Sequence, residues 1–168
     1  MQEISVCTKP FTTGISRAGP EDKQAVMAIL KRTKFFRPEE LKVAEEVFDE
    51  ALSGGPEVDY QSFVAGQGHK TIGWVCFGPT PCTAGTFDIY WLAVEPENQN
   101  SGVGTSLVRH ATTIIKNLKG RMITVDTSGS PRYLSTRRFY ETLGYCQEAC
   151  IKDFYSVGDD KIIYIKRI

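Results

Sequence analysis

The stretch Gln99-Asn100-Ser101-Gly102-Val103-Gly104-Thr105 concentrates chemistry in its backbone. Two glycines stand at i and i+2. They follow the apolar run Ile89-Tyr90-Trp91-Leu92-Ala93-Val94 and the turn-forming Glu95-Pro96-Glu97-Asn98, and they open a helical pattern that reaches Leu118. A helix that starts from such a turn leaves its first N–H groups unpaired at the positive end of the helix dipole. Glycine lets an oxyanion approach that backbone with no Cβ in the way. The stretch is therefore a candidate cradle for a phosphate or pyrophosphate. Two familiar phosphate loops are excluded. The Walker pattern needs a Lys after its last Gly, and Thr105 follows Gly104; the dinucleotide fingerprint needs a third Gly three residues on, where Leu107 stands.

The elements that position this turn follow from periodicity. Residues 1–10 read as a loose arm and 12–18 as a first strand. Gly19-Pro20-Glu21-Asp22 starts a helix, with a breaker, a Pro in the first turn and two acids that suit the dipole. Phe35-Phe36-Arg37-Pro38 interrupts it. Pro38-Glu39-Glu40 then opens a second helix, with Leu41, Ala44, Val47, Phe48 and Leu52 at near-helical spacing. At Tyr60 the period changes to two, which predicts strands over 60–66, 71–77 and 86–94. The segment 102–118 is a helix with Val103, Leu107, Val108, Ala111, Ile114, Ile115 and Leu118 on one stripe. A strand over 122–127 follows. Ser130-Pro131 starts a helix that ends at Gly144. Two strands, 145–154 and 161–166, close the chain through a link at 156–160. The order is strand, two helices, three strands, helix, strand, helix, two strands: one mixed α/β domain over residues 1–168, with a largely antiparallel half.

The string Gln99-x-x-Gly102-x-Gly104, after a Leu-Ala-Val strand end and Pro96, resembles the acetyl-CoA motif of the Gcn5-related N-acetyltransferases, the GNAT family. A second block agrees: Thr136-Arg137-Arg138-Phe139-Tyr140-Glu141-Thr142-Leu143-Gly144-Tyr145 resembles the family's later helix. The two blocks have the right order and separation, and the resemblance spans nearly the whole chain. It implies a mixed, largely antiparallel central sheet of about seven strands flanked by about four helices, splayed between strands 4 and 5 with the cofactor in the gap. It implies acetyl-CoA as co-substrate and transfer of the acetyl group by direct attack of a primary amine on the thioester.

The same resemblance assigns roles. The backbone from Gln99 through Asn100, Ser101, Gly102, Val103 and Gly104 to Thr105 would hold the pyrophosphate, and Leu92, Ala93 and Val94 would pair with the pantetheine arm. Tyr140 matches the tyrosine that acts as general acid; a phenol near pKa ~10 can donate to a thiolate whose free thiol titrates near ~8.5. The position most often occupied by the base is Tyr90 here. Asp88, two residues earlier and on the same face of a regular strand, is the first candidate base, with any bulge expected later, near Leu92. Asp126, an acid in an otherwise apolar strand, is the second. Phe35, Phe36, Arg37, Tyr90, Trp91 and Tyr155 are nominated for the acceptor pocket. Asp153-Phe154-Tyr155 before Gly158-Asp159-Asp160 is similar to the hairpin of N-terminal acetyltransferases. Two residues depart from the family pattern on the cofactor side: Tyr133 where Asn is usual, and Thr136 where Ala is usual. Lys116, Lys119 and Arg121 form a basic cluster that could meet the 3′-phosphate of CoA, or simply be a solvated helix end. His69, in a turn, and His110, on a polar helix face, carry no signal.

Composition narrows the partners. Lys+Arg and Asp+Glu are both 20, so a zero net charge gives no field for nucleic acid or anionic membrane. No apolar run approaches the ~20 residues of a membrane span, and residues 1–13 lack a signal-peptide core, which points to a cytoplasmic protein. Five scattered cysteines suit reduced thiols. Cys146 and Cys150 are four apart with no His nearby, so no metal site is expected. The expected partner is an amine-bearing small molecule or peptide, and the chain is either a monomer or a homodimer. The alternative from another class is a noncatalytic acyl-CoA-binding or interaction module of the same fold.

Overall fold

The computed structural model describes residues 14–54 and 60–168. The expected N-terminal arm and the first two residues of the expected first strand lie outside them. Seven strands form one sheet: β1 (Gly14–Arg17), β2 (Gln61–Gln67), β3 (Lys70–Pro79), β4 (Thr86–Val94), β5 (Met122–Ser128), β6 (Cys146–Ser156) and β7 (Asp159–Arg167), in the order β1-β2-β3-β4-β5-β7-β6. Four helices accompany it: α1 (Lys23–Thr33), α2 (Pro38–Ser53), α3 (Val103–Asn117) and α4 (Leu134–Thr142). Three short 3₁₀ turns open at Pro20, Pro96 and Pro131, because proline fixes φ for a first turn and has no N–H to leave unpaired. The first helix therefore begins as a 3₁₀ turn, and its α portion starts only at Lys23.

Every strand pairing is antiparallel except β4 with β5, which is parallel and brief. It holds Thr86 to Met122, Phe87 to Ile123 and Asp88 to Thr124, and then the two strands part. A bulge in β4 coincides with the parting. Phe77 faces Ile89 and Cys76 faces Trp91, so Tyr90 is the extra residue. An inserted residue bends and twists its strand and reverses the parity of all that follows. Phe87 and Ile89 before the bulge, and Leu92 and Val94 after it, all join the hydrophobic cluster under α3. Trp91 and Ala93 join the cluster under α1 and α2. The bulge thus lies at Tyr90 rather than near Leu92, two residues earlier than the sequence suggested.

The two clusters lie on opposite faces of the sheet. Under α1 and α2, Trp74 is fully buried, with its ring 5.7 Å from Phe48 and 6.2 Å from Trp91. Its indole N–H donates to Ser62 Oγ at 2.7 Å, which satisfies the one polar atom that burial would otherwise strand. Burying a side chain such as Phe48 contributes about 1.5–3 kcal/mol. On the other face α3 packs close to β3. A Cβ at Gly73 would lie 3.0 Å from both Leu107 Cδ1 and Val103 Cγ1, so the approach depends on glycine. His110 departs from the sequence reading: its ring lies 4.8 Å from Phe63, its Nε2 is buried, and burial lowers its pKa.

The closing hairpin is tighter than expected. Its turn is Val157-Gly158 alone, with Gly158 at φ +83°. β6 is an edge strand exposed along its length except at Tyr155. Among the described residues, no helix is long and apolar enough to cross a membrane, and no group of three or more His, Cys, Asp or Glu could hold a metal ion. Of the described cysteines, Cys76 is buried and Cys82, Cys146 and Cys150 are exposed; none forms a disulfide.

Candidate active site

Where β4 and β5 part, a cleft of about 620 Å³ opens through the sheet. Residues 89–94 of β4 form one wall, and Val125, Asp126 and Thr127 of β5 form the other. Phe139 and Tyr140 of α4 close one side, and Phe35 and Phe36, between α1 and α2, close the opposite side. Gln99, Asn100, Gly102, Gly104 and Thr105 border its outer end.

The glycine turn has the geometry of an anion cradle. Gly102 is the N-cap of α3 at φ +90°, a left-handed conformation that excludes β-branched residues, and Asn100 is left-handed as well. Ser106 N–H makes the first helical bond, to Gly102 O at 2.9 Å. The N–H groups of Val103, Gly104 and Thr105 precede it and have no intrahelical acceptor. A Cβ at Gly104 would sit 3.4 Å from the Phe139 ring and 3.6 Å from Val94 Cγ2, so its absence widens the cleft at that point. Two side chains of the motif serve the loop itself. Gln99 Nε2 donates to Val94 O at 3.2 Å, and Ser101 Oγ donates to Asn98 O at 2.5 Å. Val103 is buried in the core under α3 and can offer the cleft only backbone.

The turn is anchored from behind. Glu95, buried at the end of β4, accepts from Arg32 Nε at 2.8 Å and Nη2 at 2.6 Å. That bidentate contact holds the Glu95 carboxyl below the usual range. The Glu95 N–H donates to Ile72 O, so strand end, helix α1 and turn are tied at one residue.

Tyr140 is buried on the cleft wall, 5.1 Å from the Phe139 ring and 5.3 Å from the Tyr145 ring. Burial raises its pKa far above that of a free phenol, with Tyr145 adding to the effect. The two candidate carboxylates differ in placement. Asp126 lines the cleft and ion-pairs with Lys161 at 2.5 Å. Asp88 sits at the parting point, outside the cleft lining, and accepts from Thr80 Oγ1 at 2.6 Å. Burial pushes the Asp88 carboxyl above the usual carboxylate range against the pull of that hydrogen bond, and Asp126 pushes the same way.

The aromatic nominees divide likewise. Phe36, Tyr90 and Trp91 line the cleft, with the Phe36 and Trp91 rings 5.2 Å apart. Tyr90 packs on Tyr60 at 5.3 Å and donates its hydroxyl to Pro79 O at 3.4 Å. Tyr155 lies outside the lining, where burial, aided by Asp126 and Asp159, pushes its phenol up to about 12. The basic cluster at Lys116, Lys119 and Arg121 is not brought to the cradle. It sits at the far end of the 15-residue helix α3, about 22 Å along the axis. Arg121 Nε is engaged with Ala84 O at 2.6 Å.

The cleft lining also includes residues that the sequence does not nominate for the site, among them Tyr133, Thr127 and Thr136. Tyr133 donates to Phe35 O at 3.2 Å and meets the Phe35 ring edge-on at 5.2 Å, joining the start of α4 to the α1–α2 loop across the cleft. Its signal was the departure from the usual Asn. Thr127 and Thr136 also line the cleft, and only Thr136 had drawn notice, again as a departure.

Residues 59–147 match the acetyltransferase (GNAT) domain family. A crystal structure of a GNAT-family protein from Desulfovibrio desulfuricans is 41% identical, with TM-score 0.88, covering 92% of this chain and 98% of its own. The chain belongs to the GNAT family of acetyltransferases. Two more distant structures share the fold. The ribosomal-protein-S18-alanine N-acetyltransferase from Escherichia coli is 19% identical with TM-score 0.73, covering 93% of this chain and 94% of its own. An aminoglycoside 6′-N-acetyltransferase complexed with coenzyme A is 17% identical with TM-score 0.73, covering 92% and 96%. No curated protein matches the chain at a significant level.

Proposed function

We propose that this acetyltransferase carries an acetyl group from acetyl-CoA to a primary amine on a small molecule or a peptide. The observation that carries the reading is the left-handed Gly102 at the N-terminus of α3, opening onto a cleft whose inner wall holds the buried Tyr140. Acetyl-CoA supplies the thioester carbon that an amine can attack. The first-turn N–H groups of α3 hold its pyrophosphate, and the parted edge of β4 over Leu92–Val94 holds its arm.

The amine enters from the opposite face of the sheet, past Phe36, Tyr90 and Trp91. These aromatic surfaces exclude water and hold an apolar portion of the acceptor. As the nitrogen–carbon bond forms, the amine must lose a proton. Asp126, on the cleft wall, accepts it, and Lys161 orients the carboxylate. As the carbon–sulfur bond breaks, Tyr140 donates its hydroxyl proton toward the sulfur. Its raised pKa keeps that proton in place at neutral pH.

Tyr140→Phe tests the assignment with a thiol-release assay across small amines and peptide N-termini. Removing only the hydroxyl is expected to lower kcat about a hundredfold or more, with acetyl-CoA affinity held within about twofold. Unchanged turnover would remove Tyr140 as the acid. A wild-type protein that binds acetyl-CoA but acetylates no amine in a broad panel would favour the noncatalytic module.

A further inference from the structure

The mouth of the cleft on the α1–α2 face of the sheet is a closed ring. Its apex is the last rung between β4 and β5, where Asp88 pairs with Thr124. Along β4 the ring runs to Trp91, whose indole lies 5.2 Å from the Phe36 ring. Phe36 continues into Phe35 in the loop of residues 34–37 between α1 and α2. Phe35 meets Tyr133, and from Tyr133 the chain leads back through Ser130 to the end of β5 at Ser128. Phe35, Phe36, Trp91, Asp126 and Tyr133 all line the cleft. Phe36 and Trp91 belong to the cluster under α1 and α2. Asp126 stands on that same face, because its neighbour Val125 packs in the cluster under α3 on the other.

Besides the strand ladder, the ring has two noncovalent joints. The contact of Phe36 with Trp91 is aromatic packing alone. The contact of Phe35 with Tyr133 is directional. The Tyr133 hydroxyl donates to Phe35 O at 3.2 Å, and the two rings meet edge-on at 5.2 Å. The Arg132 guanidinium lies 5.1 Å from the Phe35 ring and holds it from a second direction. Burial raises the Tyr133 pKa, with Glu40 adding to the effect, so the phenol remains a donor at neutral pH. The β5 side of the joint is braced as well. Tyr133 N–H donates to Ser130 O at 3.1 Å, and Arg137 Nη1 donates to Ser128 O at 2.6 Å and to Ser130 O at 2.9 Å.

A closed ring cannot be entered from the side. An acceptor must pass through it end-on, with the amine nitrogen leading. A methylene next to the nitrogen carries only hydrogens past the edges of Phe36, Trp91 and Tyr133. A branched carbon there carries a further substituent that meets them. We propose that Tyr133 is a specificity-determining residue: its contact with Phe35 closes the mouth, which admits a primary amine at the end of an unbranched arm and rejects one on a branched carbon. The inference rests on the amine-transfer reading above and narrows its acceptor to an aminoalkyl end, whether on a free small molecule or on a lysine side chain.

The test measures kcat/KM for n-butylamine and its branched isomer sec-butylamine, by thiol release at saturating acetyl-CoA. Wild-type protein, Tyr133→Phe, Tyr133→Ala and Phe35→Ala are compared, with the CoA affinity of each taken by calorimetric titration. The wild-type protein is expected to favour n-butylamine by about thirtyfold. Tyr133→Ala and Phe35→Ala each open the joint, and the preference is expected to fall to about threefold in both. Tyr133→Phe loses the hydrogen bond but keeps the ring contact, and falls between. CoA affinity stays within about twofold throughout.

An undiminished preference in Tyr133→Ala overturns the inference; should that variant not fold, an undiminished preference in both Tyr133→Phe and Phe35→Ala does so. A wild-type protein that takes both isomers equally also overturns it. So does a CoA affinity that falls in step with the preference, which would put Tyr133 to work on the cofactor. A peptide with a blocked N-terminus and one lysine, run alongside, separates the two sources of an aminoalkyl end, and turnover of either source supports the ring. Turnover of a peptide with a free N-terminal alanine, with none of n-butylamine or the lysine peptide, overturns the inference and leaves amine transfer standing. If no amine is acetylated, the amine-transfer reading fails and this inference with it.

Discussion

Along β4 and the turn into α3, the cleft is lined by apolar side chains and by backbone groups freed from pairing. Along β5 and α4 it is lined by Asp126, Thr127, Thr136 and Tyr140. The first wall owes its shape to a bulge at Tyr90, a left-handed Gly102 and the buried Glu95–Arg32 contact behind them. The second owes its properties to individual hydroxyl and carboxyl groups. A wall built from backbone recognises what all its ligands have in common, a phosphate and an extended arm. A wall built from side chains decides which protons move. Substitutions should therefore fail differently on the two sides: on the first through affinity, on the second through turnover.

Gly102→Val is the harshest probe of that contrast. At φ +90° a β-branched residue is strained whatever space surrounds it, and nothing lies within 4 Å of its Cβ position to relieve or oppose it. The strain falls on the turn itself, so the variant distorts the cradle as well as obstructing it. CoA affinity is expected to drop about a thousandfold in calorimetric titration. The side chains packed under α3 are untouched, so cooperative unfolding persists. A variant that bound CoA normally would mean that the anion site lies elsewhere.

The side-chain wall is probed by its two carboxylates. Asp126→Asn is expected to lower kcat about a hundredfold while leaving CoA affinity nearly unchanged. Asp88→Asn is expected to change kcat by no more than about threefold, because Asp88 lies outside the cleft lining and is already bonded to Thr80. The pH profile separates them further. Burial raises the Asp88 carboxyl, so a base at that position would lose its charged form as pH falls through a value above the ordinary carboxylate range. The acid limb of kcat/KM should therefore survive Asp88→Asn. An acid limb lost in that variant would transfer the role to Asp88.

The same division explains what could be read from the sequence. The β4–α3 wall was legible because it rests on local rules: strand alternation, a Pro turn, two glycines and a helical stripe. The range of β4, the glycine turn and the order of elements along the chain all follow from them. The bulge at Tyr90 did not. Its signature is a change in pairing with β3, visible only once Phe77 and Cys76 are matched to their partners. The β5–α4 wall was less legible for a related reason. Thr127 is an ordinary strand residue until β5 separates from β4, and Tyr133 meets Phe35 across nearly a hundred residues of chain. The sequence ranks Asp88 ahead of Asp126 as the candidate base. Only the point where the ladders part sets one on the cleft wall and the other at its apex.

The most direct measurement is calorimetric titration of the wild-type protein with acetyl-CoA, with ATP titrated alongside. Binding in the micromolar range, with ATP much weaker, is the expected result, because the cleft offers the arm a wall that ATP cannot use. No detectable binding of acetyl-CoA, or equal binding of both ligands, would contradict the assignment of the cleft between β4 and β5 to the acyl donor.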